Sequence, residues 1–192
     1  MSTLLWKPKT VPAYDEIAAL RYAACRESDE ATLALLNTCR EELFPKLRYA
    51  VCYTELAVSV VGNDCHVGPM TFTSADLARY LSPCRRAVLF AATIGVEADR
   101  LIAKYSRTSP ARAVLMQALG AERVEALCDA FCDSLSGALS SRFSAGYGDF
   151  SLSAQRELFA VLQPEKAIGV CLNESLLMSP TKSVTALVGI KG

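Results

Sequence analysis

The stretch Ala87-Val-Leu-Phe-Ala-Ala-Thr-Ile94 is an almost unbroken apolar run with the length of one β-strand. A strand with one solvated face alternates apolar and polar residues, so an unbroken run indicates burial on both faces. Gly95 follows directly and predicts the end of the strand. The run therefore predicts the central strand of a sheet that is covered on both sides.

Helical patterns follow this strand. One helix is predicted to end near Tyr105, and Ser109-Pro110 then supplies an N-cap followed by proline at the first helical position. Apolar residues recur behind it with helical spacing to about Ser141, which predicts one long helix. A further helix is predicted over about 153–162.

The N-terminal part, about 13–44, is also predicted to be helical. Tyr14 to Arg26 carries an apolar stripe with helical spacing. Ser28 and Asp29 are candidate caps of a second helix, which Pro45 stops.

Strand formers dominate residues 48–72. The turn signal Gly62-Asn63-Asp64 lies between two such runs and predicts a hairpin. Thr73 and Asp76 match a capping box that opens a short helix.

Two more strands are predicted near the end of the chain, at Ile168 to Asn173 and Ser183 to Ile190. Helices and strands thus alternate irregularly around an early hairpin. This order predicts an α+β fold with a mixed, largely antiparallel sheet and several helices, one of them long. We expect one domain over residues 1–192.

Composition excludes several classes of function. The 192 residues contain 20 Lys plus Arg and 20 Asp plus Glu. This balance gives no electrostatic reason to expect nucleic acid binding, and it offers no polybasic patch for a membrane surface. The start of the chain lacks the apolar run of a secretory signal, and no segment approaches the roughly 20 apolar residues of a membrane span. We expect a cytoplasmic protein.

Eight cysteines leave three interpretations open: disulfides, a metal site, or buried thiols. Cys128 and Cys132 lie one helical turn apart and could share a metal, but most neighbours at that spacing are apolar. Paired CxxC spacing, which structural zinc sites use, is absent from the sequence. Reduced, mostly buried thiols are the favoured interpretation.

The segment Arg142-Phe-Ser-Ala-Gly-Tyr-Gly-Asp149 is the best candidate for a binding site. Its glycines let a ligand approach the backbone, its arginine suits a carboxylate, and its tyrosine suits a flat ring or a cation. These three ligand features together describe S-adenosylmethionine. The alternative is a helix end with a capping glycine and a solvated arginine.

Other candidates each have a structural alternative. His66, the only histidine, lies in a partial match to the Asp-x-His-x-x-Gly loop of cobalamin carriers, but a strand histidine is favoured. Glu174-Ser175 could supply a general base or only a strand-end hydrogen bond. Thr93-Ile94-Gly95 ends the buried strand, where ligands bind in many α/β sheets, or forms a simple tight turn.

The order of motifs over the last fifty residues resembles the activation domain of vitamin B12-dependent methionine synthase. The elements that carry the resemblance are Arg142-Phe-Ser-Ala-Gly146-Tyr147-Gly148-Asp149-Phe150, Pro164-Glu165-Lys166, Asn173-Glu174-Ser175, Met178, Pro180 and Ser183-Val184. The upstream run ending at Gly95 and the long helix are similar to small, free-standing members of that family.

This resemblance implies an accessory function. Domains of that family bind S-adenosylmethionine and dock on a cobalamin domain whose cobalt has become inactive, and an external reductant, often a flavodoxin, supplies one electron. The resemblance implies that Arg142 holds the ligand carboxylate, Gly146 permits close approach and Tyr147 lies near ligand and corrin, with backbone contacts from Ser144. Glu174 is a further candidate ligand-binding residue.

The family also uses an N-terminal acidic residue for the ligand amine, and Asp15 and Glu16 are candidates by position. The implied partner is a separate cobalamin-dependent methionine synthase or another corrinoid protein, which carries the cobalamin. An alternative function is docking on, or assembly of, a corrinoid protein without S-adenosylmethionine binding. An independent enzyme that uses Glu174 or a thiol is a third hypothesis.

Overall fold

The computed structural model describes residues 2–25 and 29–191. The strands are β1 (Leu4–Trp6), β2 (Ala50–Val61), β3 (Asp64–Val67), β4 (Met70–Thr73), β5 (Cys84–Thr93), β6 (Ala138–Leu139), β7 (Cys171–Leu172), β8 (Met178–Ser179) and β9 (Ser183–Lys191). The α-helices are α1 (Glu16–Tyr22), α2 (Glu30–Leu43), α3 (Ala75–Leu81), α4 (Glu97–Thr108), α5 (Pro110–Asp133), α6 (Gln155–Leu162) and α7 (Pro164–Ile168).

One seven-stranded sheet has the order β4-β3-β2-β5-β9-β6, and β1 also pairs with β2. Its pairings are antiparallel. β7 and β8 form a separate two-stranded ribbon. The prediction of an α+β fold with a largely antiparallel sheet and one long helix is confirmed.

The central strand β5 is buried on both faces, as its apolar run predicts. Val88, Phe90 and Ala92 belong to the hydrophobic core that α1, α2, α4 and α5 complete. Leu89 and Ala91 point into a second core, which α3 and α6 complete. An antiparallel sheet usually has one solvated face. Here helices cover both faces, and each fully buried large side chain contributes roughly 1.5–3 kcal/mol.

The long helix α5 begins at Pro110 as predicted but ends at Asp133 instead of Ser141. The predicted extension is wrong because Ala138–Leu139 pair with the end of β9 as strand β6. Gly120 does not break the helix. The aliphatic part of Lys182 packs where a side chain at position 120 would lie, so the missing side chain leaves room for a neighbour.

The N-terminal helices match their predictions in type. Asp15 caps α1, and Asp29 caps α2 by accepting a hydrogen bond from the Thr32 amide at 2.7 Å. The alternative cap Ser28 and the predicted helix end at Arg26 lie outside the described residues. Strand β1, which the sequence patterns did not indicate, lies on the edge of β2.

The hairpin is confirmed, with Val61 paired to Asp64 across a two-residue turn. The predicted strand at 168–173 is wrong over most of its length. Ile168 closes the short helix α7, and only Cys171 and Leu172 form a strand. The ribbon partner of this strand is Met178–Ser179.

A clasp of hydrogen bonds joins the loop after β6 to the start of α3. The Asp149 carboxylate accepts hydrogen bonds from the Ser74 hydroxyl and from the amides of Ala75 and Asp76, the last at 3.1 Å. The Asp76 carboxylate accepts the Asp149 amide in return at 3.1 Å. The N-cap of α3 is Ser74, one residue after the predicted Thr73. These hydrogen bonds hold the pKa of Asp149 below its ordinary value.

A buried ion pair anchors the segment before α1. Arg123 is fully buried and lies 2.5 Å from the Glu122 carboxylate, which is also buried. The guanidinium also donates to the carbonyls of Pro12 and Ala13 at 2.7 and 2.5 Å. Glu122 accepts the Asp15 amide at 3.1 Å. Both charges are thus paired and hydrogen-bonded, which their burial requires.

We expect Arg123→Ala to lower the free energy of unfolding by about 3–5 kcal/mol, because it leaves the Glu122 carboxylate buried without its partner. The matched control is Arg100→Ala, which breaks an exposed pair with Glu97 and should cost less than about 1 kcal/mol. Urea unfolding measures both. Equal effects would contradict the anchoring role.

We expect Gly148→Ala to destabilise the protein more than Gly62→Ala. Both glycines have positive φ, +54° and +60°, so both substitutions carry the strain of the left-handed region, about 1–2 kcal/mol. A Cβ at position 148 would also overlap the Asp76 carboxylate, whereas position 62 is open. The difference in thermal stability between the two variants measures the contribution of the clasp. Identical losses of stability would show that the clasp contributes nothing.

Candidate functional site

An acidic cleft lies between α1, α5 and the start of the loop at Arg142, with a volume of about 450 Å³. Small-molecule sites in proteins span roughly 300–1,000 Å³. The charged side chains that line the cleft are Asp15, Arg21, Glu122, Glu125, Asp129, Asp133 and Arg142. Among the residues that the structure describes, five carboxylates thus face two guanidiniums.

Four of these carboxylates form one stripe on α5. Glu122, Glu125, Asp129 and Asp133 are spaced by three, four and four residues, which places them on the same face of a helix. The sequence analysis used only the apolar stripe of this helix and missed the acidic one, although the same spacing rule would have found it. Burial raises the pKa of the Tyr22 phenol in the lining, and the charge of Glu125 adds to this increase.

Arg142 lies at the mouth of the cleft and is held by α5. Its Nη2 is 2.6 Å from Glu125, and its Nη1 is 3.0 Å from Asp129. The arginine side chain is 24% exposed, whereas that of Asp129 is 68% exposed. The next residue, Phe143, forms a backbone bridge with Leu187 of β9. This bridge fixes the position of the Arg142 backbone beside the sheet. The guanidinium is therefore oriented into the cleft by two carboxylates.

Asp15 lines the same cleft and Glu16 does not appear in its lining. The Asp15 carboxylate accepts the Ala18 amide at 3.0 Å as the cap of α1, so its position is fixed. The fold thus brings together one of the two acidic candidates and the candidate arginine, from positions 127 residues apart in the chain.

The remaining loop candidates lie beyond the cleft lining. Ser144 donates its hydroxyl to the Thr185 carbonyl at 2.8 Å. Gly146 donates its amide to the Phe150 carbonyl at 2.7 Å, which closes a tight loop around Tyr147. The Tyr147 ring is 55% exposed and meets Phe143 edge-on at 5.8 Å. Hydrogen bonds within the loop therefore hold it closed, and Tyr147 is exposed to solvent.

Glu174 lies apart from these residues in the exposed turn between β7 and β8. Its backbone carbonyl lies 3.5 Å from an Arg156 guanidinium nitrogen. Within residues 2–25 and 29–191, the cleft lining includes neither Glu174 nor Ser144, Gly146 or Tyr147.

The other sequence candidates occupy structural positions. All eight cysteines are free thiols, five of them buried. Burial raises the pKa of the Cys128 and Cys132 thiols, so neither is a ready nucleophile. His66 lies on β3, where its ring bonds to the Thr71 hydroxyl at 3.0 Å. Among the described residues, no group of three potential ligands is arranged for a metal ion. None of the helices described there could cross a membrane.

Comparison with known proteins identifies the fold. The chain is similar to the crystal structure of the MetH reactivation domain bound to AdoHcy, with a TM-score of 0.70 over 99% of this chain and 78% of that chain. The sequence identity is 14%. No protein-family model and no curated protein matches the sequence. The resemblance that the C-terminal motifs indicate is thus confirmed at the level of the fold, which is that of a methionine synthase reactivation domain.

Proposed function

We propose that the chain binds S-adenosylmethionine in the acidic cleft and supports reductive methylation of cobalamin carried by a separate methionine synthase or another corrinoid protein. The observation that carries the proposal is the charge pattern of the cleft, in which one oriented guanidinium lies within a surplus of carboxylates. S-adenosylmethionine has the complementary pattern, with one carboxylate, one ammonium and one sulfonium.

Arg142 is suited to hold the ligand carboxylate. In the ion pair with Asp129 the carboxylate is 68% exposed and the arginine 24%. Solvent around the carboxylate brings such a pair toward the roughly 0–1 kcal/mol that exposed pairs contribute. A ligand carboxylate can therefore replace Asp129 at little cost while Glu125 keeps the guanidinium oriented. An edge of a planar guanidinium binds a carboxylate through two parallel hydrogen bonds.

The carboxylates are suited to the two cationic groups. Asp15 lies at the start of α1, and Glu125, Asp129 and Asp133 lie along α5. Glu122 is already neutralised by Arg123, so four carboxylates and two guanidiniums remain among the described residues that line the cleft. The surplus is negative and favours a ligand with net positive charge.

The loop after Arg142 is proposed to complete the site on the partner side. Gly146 lets the ligand approach the backbone, Ser144 offers backbone groups, and the exposed Tyr147 ring lies where ligand and corrin meet. Glu174 is proposed to contact the ligand or partner from its exposed turn. In such a reaction S-adenosylmethionine supplies the methyl group and an external reductant, such as a flavodoxin, supplies one electron. The residues of this chain bind and orient the methyl donor, which lowers the entropic barrier to transfer.

Isothermal titration calorimetry tests the ligand site. We expect Arg142→Met to weaken binding of S-adenosylmethionine about 10- to 100-fold, the effect of losing a charge-assisted carboxylate contact. Arg107→Ala, which removes an exposed arginine from the last turn of α4, is the control and should leave affinity unchanged.

Asp133→Asn, which removes a carboxylate of the cleft lining, is a second variant for the same experiment. It should weaken S-adenosylmethionine more than S-adenosylhomocysteine, because only the former carries the sulfonium charge. Absence of binding at millimolar S-adenosylmethionine would rule out the ligand site.

The alternative function, docking on a corrinoid protein without a small-molecule site, is favoured by one observation. Tyr147 and Leu152 are 55% and 41% exposed, and the Leu152 side chain lies 3.6 Å from where a Cβ at position 146 would lie. Both side chains are therefore exposed at the same loop, and exposed apolar patches are common at protein interfaces.

A pull-down with a cobalamin-loaded methionine synthase that lacks its own reactivation domain separates the two functions. Docking alone predicts that Tyr147→Ser with Leu152→Ser abolishes capture whereas Arg142→Met does not, with or without S-adenosylmethionine. The ligand-dependent function predicts that S-adenosylmethionine strengthens capture by the wild-type chain and not by Arg142→Met. Equal capture by the wild-type chain and by every variant would contradict both functions.

A further inference from the structure

A second cavity, of about 410 Å³, lies where β1, the start of β2, the end of β5 and the end of α7 converge. It shares no lining residue with the acidic cleft. Besides Lys7 and Arg48, the lining includes Trp6, Tyr49, Val96 and Ile168 among other mostly apolar residues. The walls are thus mainly apolar and include two aromatic residues.

The charges at this cavity are all positive. Lys7 and Arg48 are its only charged lining residues, and within the described part of the chain neither side chain forms a hydrogen bond or ion pair. The carboxylates that begin α4 are engaged elsewhere. Glu97 pairs with Arg100 at 2.5 Å, and Asp99 accepts hydrogen bonds from Thr181.

The fold sets Arg48 at the mouth of the cavity through the end of the central strand. The Arg48 amide donates to the Ile94 carbonyl at 2.9 Å. A Cβ at position 95 would lie 3.3 Å from the Arg48 Cβ, so glycine at this point allows the two chains to come close. The stretch Thr93-Ile94-Gly95, ambiguous in sequence between a turn and a ligand site, therefore supports a cavity wall and a cation.

We propose that this cavity is a second ligand site, which binds an amphiphilic organic anion. The ligand class has a flat apolar body, which fits against Trp6, Tyr49 and Ile168, and a carboxylate, sulfonate or phosphate group, which pairs with Arg48 and Lys7. Such a combination of apolar walls with a few polar anchors is typical of small-molecule sites. The site does not depend on S-adenosylmethionine binding, and its charge preference is opposite to that of the acidic cleft.

Trp6 gives a direct reporter, because it is the only tryptophan of the chain. The probe is 8-anilinonaphthalene-1-sulfonate, a flat apolar sulfonate whose absorption overlaps tryptophan emission. We expect saturable one-to-one binding to the folded full chain, with energy transfer from Trp6 to the probe. Excess S-adenosylmethionine should leave this signal unchanged.

Matched variants test the charge and the location. Arg48→Ala should raise the dissociation constant roughly fivefold, the effect of one exposed ionic contact, whereas Arg107→Ala should not change it. Val96 is exposed and lines the cavity. Val96→Glu should weaken binding at least as much as Arg48→Ala, and Val96→Gln, of nearly the same size, should retain it.

Several outcomes would overturn the site. Binding without energy transfer from Trp6 would place the probe elsewhere, and displacement by S-adenosylmethionine would place it in the acidic cleft. Equal affinity in Arg48→Ala and Arg107→Ala, or equal losses in the two Val96 variants, would remove the role of charge. Because calorimetry of the acidic cleft uses other residues and another ligand, either site can fail while the other is upheld.

Discussion

The ion pair of Glu122 with Arg123 holds the N-terminal segment against α5, and the acidic cleft exists only because these two parts meet. Burying two charges is costly, and their attraction offsets the cost only when the remaining hydrogen-bonding groups are satisfied. Arg123 meets this condition by donating to the carbonyls of Pro12 and Ala13. The rings of Tyr14 and Phe44 also lie 5.6 and 5.0 Å from its guanidinium carbon. Asp15, at the cleft wall, follows directly on this anchored segment.

Arg123, which anchors the segment before α1, and Arg142, which lines the cleft, differ in what surrounds their guanidiniums. Arg123 is fully buried, so removing either member of its pair leaves an uncompensated charge in the interior. Arg142 shares its guanidinium between the half-exposed Glu125 and the largely exposed Asp129, where water stabilises a released carboxylate. Arg123 is therefore suited to a fixed structural contact, whereas Arg142 is suited to exchange a protein carboxylate for that of a ligand. Burial, not residue type, makes this distinction.

The elements predictable from the sequence are those specified by local patterns. The run before Gly95 specified the doubly buried strand, the Gly62-Asn63 turn specified the hairpin, and Ser109-Pro110 specified the start of the long helix. Elements that depend on distant partners could not be read in this way. β1 requires β2, and the two residues of β6 require the end of β9.

The candidate site shows the same division. Arg142 was identifiable from its motif. Its partners Glu125 and Asp129 lie on α5, and only the tertiary structure shows which face of this helix meets the loop. Similarly, Asp149 was visible as a loop residue, whereas its role as an acceptor at the start of α3 depends on a contact across 75 residues. The roles of Ser144, Gly146, Tyr147 and Glu174 rest on the motif resemblance and stay predictions.

The balance of 20 basic and 20 acidic residues conceals an uneven distribution. Carboxylates gather in one cavity, whereas Lys7 and Arg48 are the charged residues that line the second cavity in the described part of the chain. At physiological ionic strength a surface charge acts over about 8 Å, so each cavity responds to the charges that line it more than to the net charge of the chain. Neutral composition argues against a large uniform field, such as nucleic acid binding requires. It does not argue against charge selection within a single cavity, because that depends on how the fold sorts its charges.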